Sequence, residues 1–546
     1  MKNFNVKLII GVSMIIVVSL LGLYSFGDIK YSSKAGLTYE EKKRDAKYLI
    51  DFLSDTYPYF EEIKKEVGKD ILGNKSKIIN SISKTSSDEE FYDSISKFFR
   101  NFIYGTAEIT NDLEYFGRNF TYVDKDLNLN SSTYREKALK GKEKWAPIQQ
   151  KYWQNSYTPG NVNFFYSNGR YYVNVSQNPE VHIGDKLLKV EGMPVDEYVD
   201  KMPHDKYYKT YDYTYEKYVR LFDIVALKGK DSKITITIEN SLGDEKEVEI
   251  LPFEESMPLL EDGYAKSRNQ QSSNEQVEDF KNRNFLSSFD ASKILALDFL
   301  AFNDINKYHT DSKYKEDVLL SIDKSNTLVI DLRGGYDETM LLDILGYIAV
   351  KDIEEFNYRV IKRSKINDEF IISFRNTLNP FITEISSPID TLEERYPLSE
   401  YYTFKEKKFE IKGKDKYKGK VFILYDGSFY SDYTGQLIKC IIENNLGTVI
   451  SHGKFNIKDF PNYNSMTSSI LPNSNLMIVV NNGKAVDSKG EFVEAEVVTP
   501  QVILEKDIDL IIDLLKKGEG DEMNMLQKKK YTEEDKYYNK VLELLK

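Results

Sequence analysis

In the second half of the chain, short apolar runs alternate with helical spacings of leucine and isoleucine, and this constrains the fold more than any other feature. Ile294–Phe299 is apolar enough for a buried strand. Thr327-Leu328-Val329-Ile330 runs into Asp331-Leu332-Arg333-Gly334-Gly335, and Leu341, Leu342, Leu345 and Ile348 follow at helical intervals. Val421-Phe422-Ile423-Leu424 leads through a turn holding Ser428 and Ser431 to Leu437, Ile438, Ile441 and Ile442; Gly447 then ends the helix and Val449-Ile450 begins another strand. Strands alternating with helices predict an α/β core of βαβ units around a mostly parallel sheet. Ligands of such a sheet sit at the carboxyl ends of its strands.

The rest of the chain divides around this core, which spans 286–517. Residues 38–150 read as a helical cap, with Ala46, Leu49, Ile50 and Leu53 on one helix and Phe91, Ile95, Phe98, Phe99 and Phe102 along a second apolar stripe. Residues 160–253 read as a small β-rich domain: a hairpin around Ser167-Asn168-Gly169, then alternating Ile234, Ile236 and Ile238. Residues 254–285 are polar and aperiodic, a linker or mobile loop. Residues 518–546 form a helical extension, with Thr532 as cap and Leu542, Leu544 and Leu545 near its end. At the other terminus, Lys2 and Lys7 precede the uncharged run Leu8–Phe26. Its length of about 19 residues suits a bilayer span. Residues 1–28 are therefore expected to be a cytoplasmic tip and single-pass membrane anchor, with the bulk of the chain extracytoplasmic. A cleaved signal peptide is the competing reading.

Composition removes several function classes. Lys and Arg number 75 against 87 Asp and Glu, a net charge of −12, which lacks the basic footprint of a nucleic-acid binder. The single cysteine, Cys440, permits neither an internal disulfide nor a cysteine-rich zinc site. It falls on the packed side of the helix after Ser431 and reads as a core residue. The four histidines, His182, His204, His309 and His452, are too far apart for a metal-binding helix, so no metal or cofactor is expected.

Two strand ends carry possible chemistry. Paired glycines in Leu332-Arg333-Gly334-Gly335 let backbone amides face a phosphate or an oxyanion, or simply make a tight turn. A serine in Tyr425-Asp426-Gly427-Ser428-Phe429-Tyr430-Ser431-Asp432, at a helix entrance, suits a nucleophile beside free amides, or an N-cap. The spacing matches neither a GxSxG elbow nor a Walker A loop.

Order and spacing carry a resemblance. GDKLLKVEGMPV (184–195) is similar to the glycine–aspartate segment of a PDZ domain. LVIDLRGG (328–335), VFILYDGSFYS (421–431), LPNSNL (471–476) and DSKGEFVEAEVVTPQV (487–502) resemble, in order, segments of the C-terminal processing, or tail-specific, serine peptidases. In that family a helical cap, a PDZ domain and an α/β core follow one another. The resemblance implies a serine endopeptidase acting on peptides or exported proteins, without a cofactor. Ser431 is then the nucleophile, and the backbone amides of Gly335 (or Gly334) and Asp432 form the oxyanion hole. The PDZ-like segment, with Gly184, Asp185 and Leu187, holds the substrate tail.

The general base departs from the pattern. Lys454, in the pair Gly453-Lys454, stands nearest to a family lysine, and it must be neutral to act. Thr106 occupies the cap position where other relatives carry a histidine, and His452 is a third option. Val497 and Gln501 replace the usual glycine and aspartate of the closing segment. The alternative is a catalytically degenerate relative that binds peptides or wall proteins without cleaving them.

Overall fold

The computed structural model describes residues 36–110, 132–156, 160–202, 209–221, 224–225, 227, 232–253, 285–289, 293–299, 302–375, 382–427, 434–457, 466–517 and 530–546. The run Leu8–Phe26, nearly all of 254–285, and both Ser431 and Asp432 lie outside them. Among the described residues no helix is long and apolar enough to cross a membrane. Tyr39–Lys546 form one compact unit.

The chain enters this unit through α1 (Tyr39–Thr56), α2 (Phe60–Val67), α3 (Lys75–Ser83) and α4 (Asp88–Phe99). Ser87 caps α4 by accepting from the Glu90 amide, and Phe91, Ile95, Phe98, Phe99 and Phe102 are all buried, as an apolar stripe at helical spacing requires. A short strand, β1 (Ala107–Thr110), follows, and then α5 (Ser132–Ser156). Next come β2 (Val162–Ser167), β3 (Arg170–Ser176), β4 (Lys186–Val190), β5 (Met193–Pro194), α6 (Val195–Lys201), β6 (Lys209–Asp212), β7 (Lys217–Arg220), β8 (Ile234–Glu239) and β9 (Glu245–Ile250). Strands β2-β3-β4-β8-β9 make an antiparallel sheet over its own core of Val162, Phe164, Val173, Leu187, Ile236 and Ile238.

The alternating region opens with β10 (Leu286–Phe289), β11 (Ile294–Asp298), α7 (Phe302–Thr310), α8 (Ser312–Lys324), β12 (Thr327–Asp331) and α9 (Glu338–Ile348). An insertion follows: β13 (Ile353–Lys362), α10 (Lys365–Arg375), β14 (Ile382–Ile385), α11 (Asp390–Glu393) and β15 (Tyr401–Ile411). The central sheet resumes with β16 (Lys420–Tyr425), α12 (Thr434–Glu443) and β17 (Thr448–Ser451). Then come β18 (Phe455–Asn456), β19 (Met466–Ile470), β20 (Met477–Asn481), β21 (Lys484–Val486), β22 (Val497–Val498), β23 (Val502–Ile503), α13 (Ile508–Lys517) and α14 (Lys536–Leu545).

The mixed α/β fold expected from the alternation is the one adopted. The central sheet has the order β10-β11-β12-β16-β17-β23, parallel throughout except for β10. Successive side chains of a strand point to opposite faces. Leu295, Leu297, Leu328, Ile330, Val421 and Ile423 pack on one face against α7, α8, α9 and α12. Ile294, Ala296, Val329, Phe422, Leu424 and Ile450 pack on the other against Tyr537, Tyr538 and Val541 of α14. Cys440 is buried in the first layer, where burial pushes its thiol up to about 12.

The joints between the helical amino-terminal part and the core include a strand pairing and a turn, beside bonds such as that from the Tyr59 hydroxyl to the Gly483 carbonyl. β1 pairs with β20, Ala107 opposite Val480. The 471–476 turn is held by α1 and α5: buried Asp45 accepts from the amides of Asn473 and Ser474 at 2.8 and 2.7 Å, and the Trp145 indole donates to the Ser474 carbonyl at 2.8 Å.

Candidate active site

The two strand ends singled out in the sequence leave adjacent strands on the same edge of the sheet. β12 and β16 are parallel neighbours in the register Leu328 opposite Val421 and Asp331 opposite Leu424, and the pairing runs one residue further, with the Leu332 amide donating to the Leu424 carbonyl. The chain then turns through Gly334 (φ 83°) and Gly335 (φ 147°), a left-handed path that side chains other than glycine resist. The Gly335 amide donates to the Leu332 carbonyl across a long 3.3 Å. A hydrogen bond of 3.0 Å between the Tyr336 hydroxyl and Thr434 Oγ1 ties this turn to the first residue of α12. The serine turn between β16 and α12 therefore starts and ends beside the glycine-rich turn, although Ser431 and Asp432 themselves lie outside the described residues.

Beneath the glycine-rich turn lies a buried ionic cluster that the motifs did not announce. Arg333 makes two forked pairs: Nε and Nη2 on Asp331 at 2.9 and 2.7 Å, and Nη1 and Nη2 on Asp535 at 2.8 and 2.9 Å. Lys530 Nζ lies 3.1 Å from Asp298 Oδ1, 3.4 Å from Asp331 Oδ2 and 3.1 Å from the Arg333 carbonyl oxygen. The Tyr531 hydroxyl donates to Asp331 at 2.8 Å. All five charged side chains are buried. Two cations face three carboxylates, and the surplus acid is met by neutral donors: Asp535 also accepts from the amides of Tyr531, Tyr537 and Tyr538. Burial by itself would raise the Asp331 carboxyl, but Arg333 and Lys530 outweigh it and hold it well below the usual carboxylate range. Burial opposes charge on Arg333 as well, and Asp331 and Asp535 more than restore it. Burial pushes the Tyr531 and Tyr537 phenols well up, so both remain neutral donors.

The sequence offered one signal for this cluster. Both ILALD (294–298) and TLVID (327–331) end an apolar strand in aspartate, and the parallel register sets Asp298 opposite Asp331. Lys530, Tyr531 and Asp535 gave none, because they lie some two hundred positions away in a charged stretch that reads as solvated.

The 452–454 turn follows β17, whose Ser451 pairs with Tyr425. It docks onto the β6–β7 hairpin. Gly453 comes so near Thr214 that a Cβ there would meet the hydroxyl oxygen at 2.3 Å, and the Lys454 amide donates to that hydroxyl at 2.8 Å. The Lys454 side chain is 32% exposed, with Nζ 3.8 Å from Glu216 Oε1. His452 is more enclosed. Its Nδ1 is 3.0 Å from the Leu504 carbonyl, and its ring stands edge-on to Tyr537 at 4.7 Å. Burial, with Lys506 and Arg333 nearby, lowers the imidazole to about 4. It is neutral at pH 7, with Nδ1 as donor and Nε2 as acceptor. Thr106 precedes β1, and its carbonyl accepts from the Asn481 amide at 2.6 Å.

No protein-family profile and no curated protein matches the sequence. Solved structures do. Mature CPAF complexed with lactacystin is 13% identical, over 88% of this chain and 98% of that one, with a TM-score of 0.44. The photosystem II D1 C-terminal processing protease is 9% identical, over 87% and 97%, with a TM-score of 0.31.

In the β-rich module, Gly184 and Asp185 form the turn before β4. Their amides donate to the carbonyls of Val173 and His182 at 2.9 and 3.0 Å, and Ile512 of α13 packs where a Gly184 Cβ would stand. Leu187 belongs to the module's core. A substrate carboxylate would have to displace those bonds to use the turn. Among the described residues no cluster of His, Cys, Asp and Glu could hold a metal.

Proposed function

We propose that this chain is a serine peptidase of the C-terminal processing type, anchored by residues 1–28, with its bulk outside the membrane and peptide or protein tails as substrates. The observation that carries the reading is the parallel pairing of β12 with β16, with the Tyr336–Thr434 hydrogen bond between the turns that follow. It sets the ends of β12 and β16 side by side, which supports an amide turn and a serine turn working together, as acyl transfer requires. Ser431 Oγ attacks the scissile carbonyl, and the amides of Gly335 and Asp432 receive the oxyanion once Gly335 leaves the Leu332 carbonyl. Lys454 takes the serine proton and gives it to the departing amine; water then releases the acyl group. Lys454 acts only after separating from Glu216 and losing its proton.

The exposure of Lys454 beside Glu216 favours a second reading, a relative that binds tails without cleaving them. Fluorophosphonate labelling of the full chain separates the two. The peptidase reading expects labelling and peptide cleavage that vanish in Ser431→Ala and fall at least about 10²-fold in Lys454→Met. Labelling that persists in Ser431→Ala, or no labelling together with tail binding that survives that change, excludes it.

A further inference from the structure

The carboxyl-terminal segment grips the chain at the peptide unit that enters the glycine pair. Lys530 Nζ donates to the Arg333 carbonyl at 3.1 Å, and Asp535 holds the Arg333 guanidinium through both of its oxygens. A peptide unit is planar, with its C=O and N–H pointing in opposite directions. A cation on the Arg333 carbonyl thereby fixes the plane of the Arg333–Gly334 unit, the direction of the Gly334 amide and the point from which the chain turns into Gly335. The ammonium has three protons, and three oxygens surround it: Asp298, Asp331 and the Arg333 carbonyl. Covering the sheet does not require a lysine here, because Tyr537, Tyr538 and Val541 do that from α14.

We propose that Lys530 is a positioning residue, which orients the Gly334–Gly335 amides for the oxyanion from the far end of the chain. The proposal rests on the peptidase reading for its catalytic consequence, but its structural part stands on the Arg333 contact alone. Two readouts keep these apart. In the full chain, Lys530→Met should raise amide hydrogen exchange across 332–337 tenfold or more, leaving β12 and β16 unchanged. Peptide turnover should show kcat lowered about 10²-fold at unchanged KM, the mark of an interaction used only in the transition state. Because Lys530→Met leaves Asp298 buried without its cation, the charge-balanced pair Asp298→Asn with Lys530→Met is measured beside it and should behave alike. Val541→Ala, which loosens α14 without touching Arg333, should lower the melting temperature and leave kcat unchanged.

Unchanged exchange across 332–337 in either folded variant overturns the proposal, as does a loss of kcat in Val541→Ala as large as in Lys530→Met. Failure of both Lys530 variants to fold also overturns it, since Lys530 would then determine the fold rather than one turn. If the native chain neither labels nor cleaves, the peptidase reading fails, and the exchange measurement alone decides the positioning role.

Discussion

His452 shows how far an ordinary side chain is altered by where the chain puts it. A free imidazole titrates near 6.5, and burial in the turn after β17, with Lys506 and Arg333 nearby, lowers it to about 4. Between these values the unfolded chain binds a proton that the folded chain refuses. The stabilisation is complete above pH 6.5 and is lost as pH falls through 6.5 towards 4, in all about 3 kcal/mol. The urea midpoint of the native protein should therefore drop between pH 7.5 and pH 4.5 by more than that of His452→Gln. Equal slopes for the two proteins would show that the imidazole is solvated. The sequence marked this residue as a possible base but not its burial: the string Ser451-His452-Gly453-Lys454 shows a histidine in a polar turn. Its enclosure comes from Leu504 and Tyr537, which are remote in the chain.

At the scale of elements, the least legible contacts are those that fix turns to helices far away in sequence. The segment 471–476 was readable as a motif, and the stripe of α1 as a helix. That Asp45 would leave the solvent to hold the 473–474 amides was not, because an acidic residue beside an apolar stripe ordinarily faces water. Its three hydrogen bonds, including one from Asn473 Nδ2 at 2.7 Å, are charge-assisted, and the one from the Ser474 amide is buried. Asp45→Ala leaves the buried Ser474 amide without an acceptor, at about 1–3 kcal/mol, and the half-buried Asn473 amide at less. Unfolding free energy should fall by about 2–4 kcal/mol, and by less in Asp45→Asn, which keeps one oxygen. A denaturant titration of both variants checks this, and equal losses in the two would count against the hydrogen-bond account. The strands of the core were legible for the opposite reason. Val329-Ile330 and Phe422-Ile423-Leu424 are buried on both faces, so every position is apolar and local sequence suffices.

For the whole molecule, what the sequence conceals is how the second face of the central sheet is closed. The helices that alternate with the strands, α7, α8, α9 and α12, line one face. The other is covered by the last helix, which an amphipathic pattern reveals as a helix without revealing what it packs against. A largely parallel sheet is not stable with one face in water. Tyr537, Tyr538 and Val541 are buried there, and at about 1.5–3 kcal/mol for each large apolar side chain their removal approaches the 5–15 kcal/mol, or roughly so, that holds a typical domain folded. The lost Asp535 pairs add to this by leaving Arg333 with Asp331 alone. A chain ending before Asp535 should therefore lose its cooperative calorimetric transition and bind a hydrophobic dye through Ala296, Val329, Phe422 and Leu424, whereas one lacking only Leu544 onward should melt within a few degrees of the full chain. A cooperative transition with no dye binding in the shorter chain would mean that the sheet closes its second face without α14, and that the carboxyl-terminal segment is a peripheral strap.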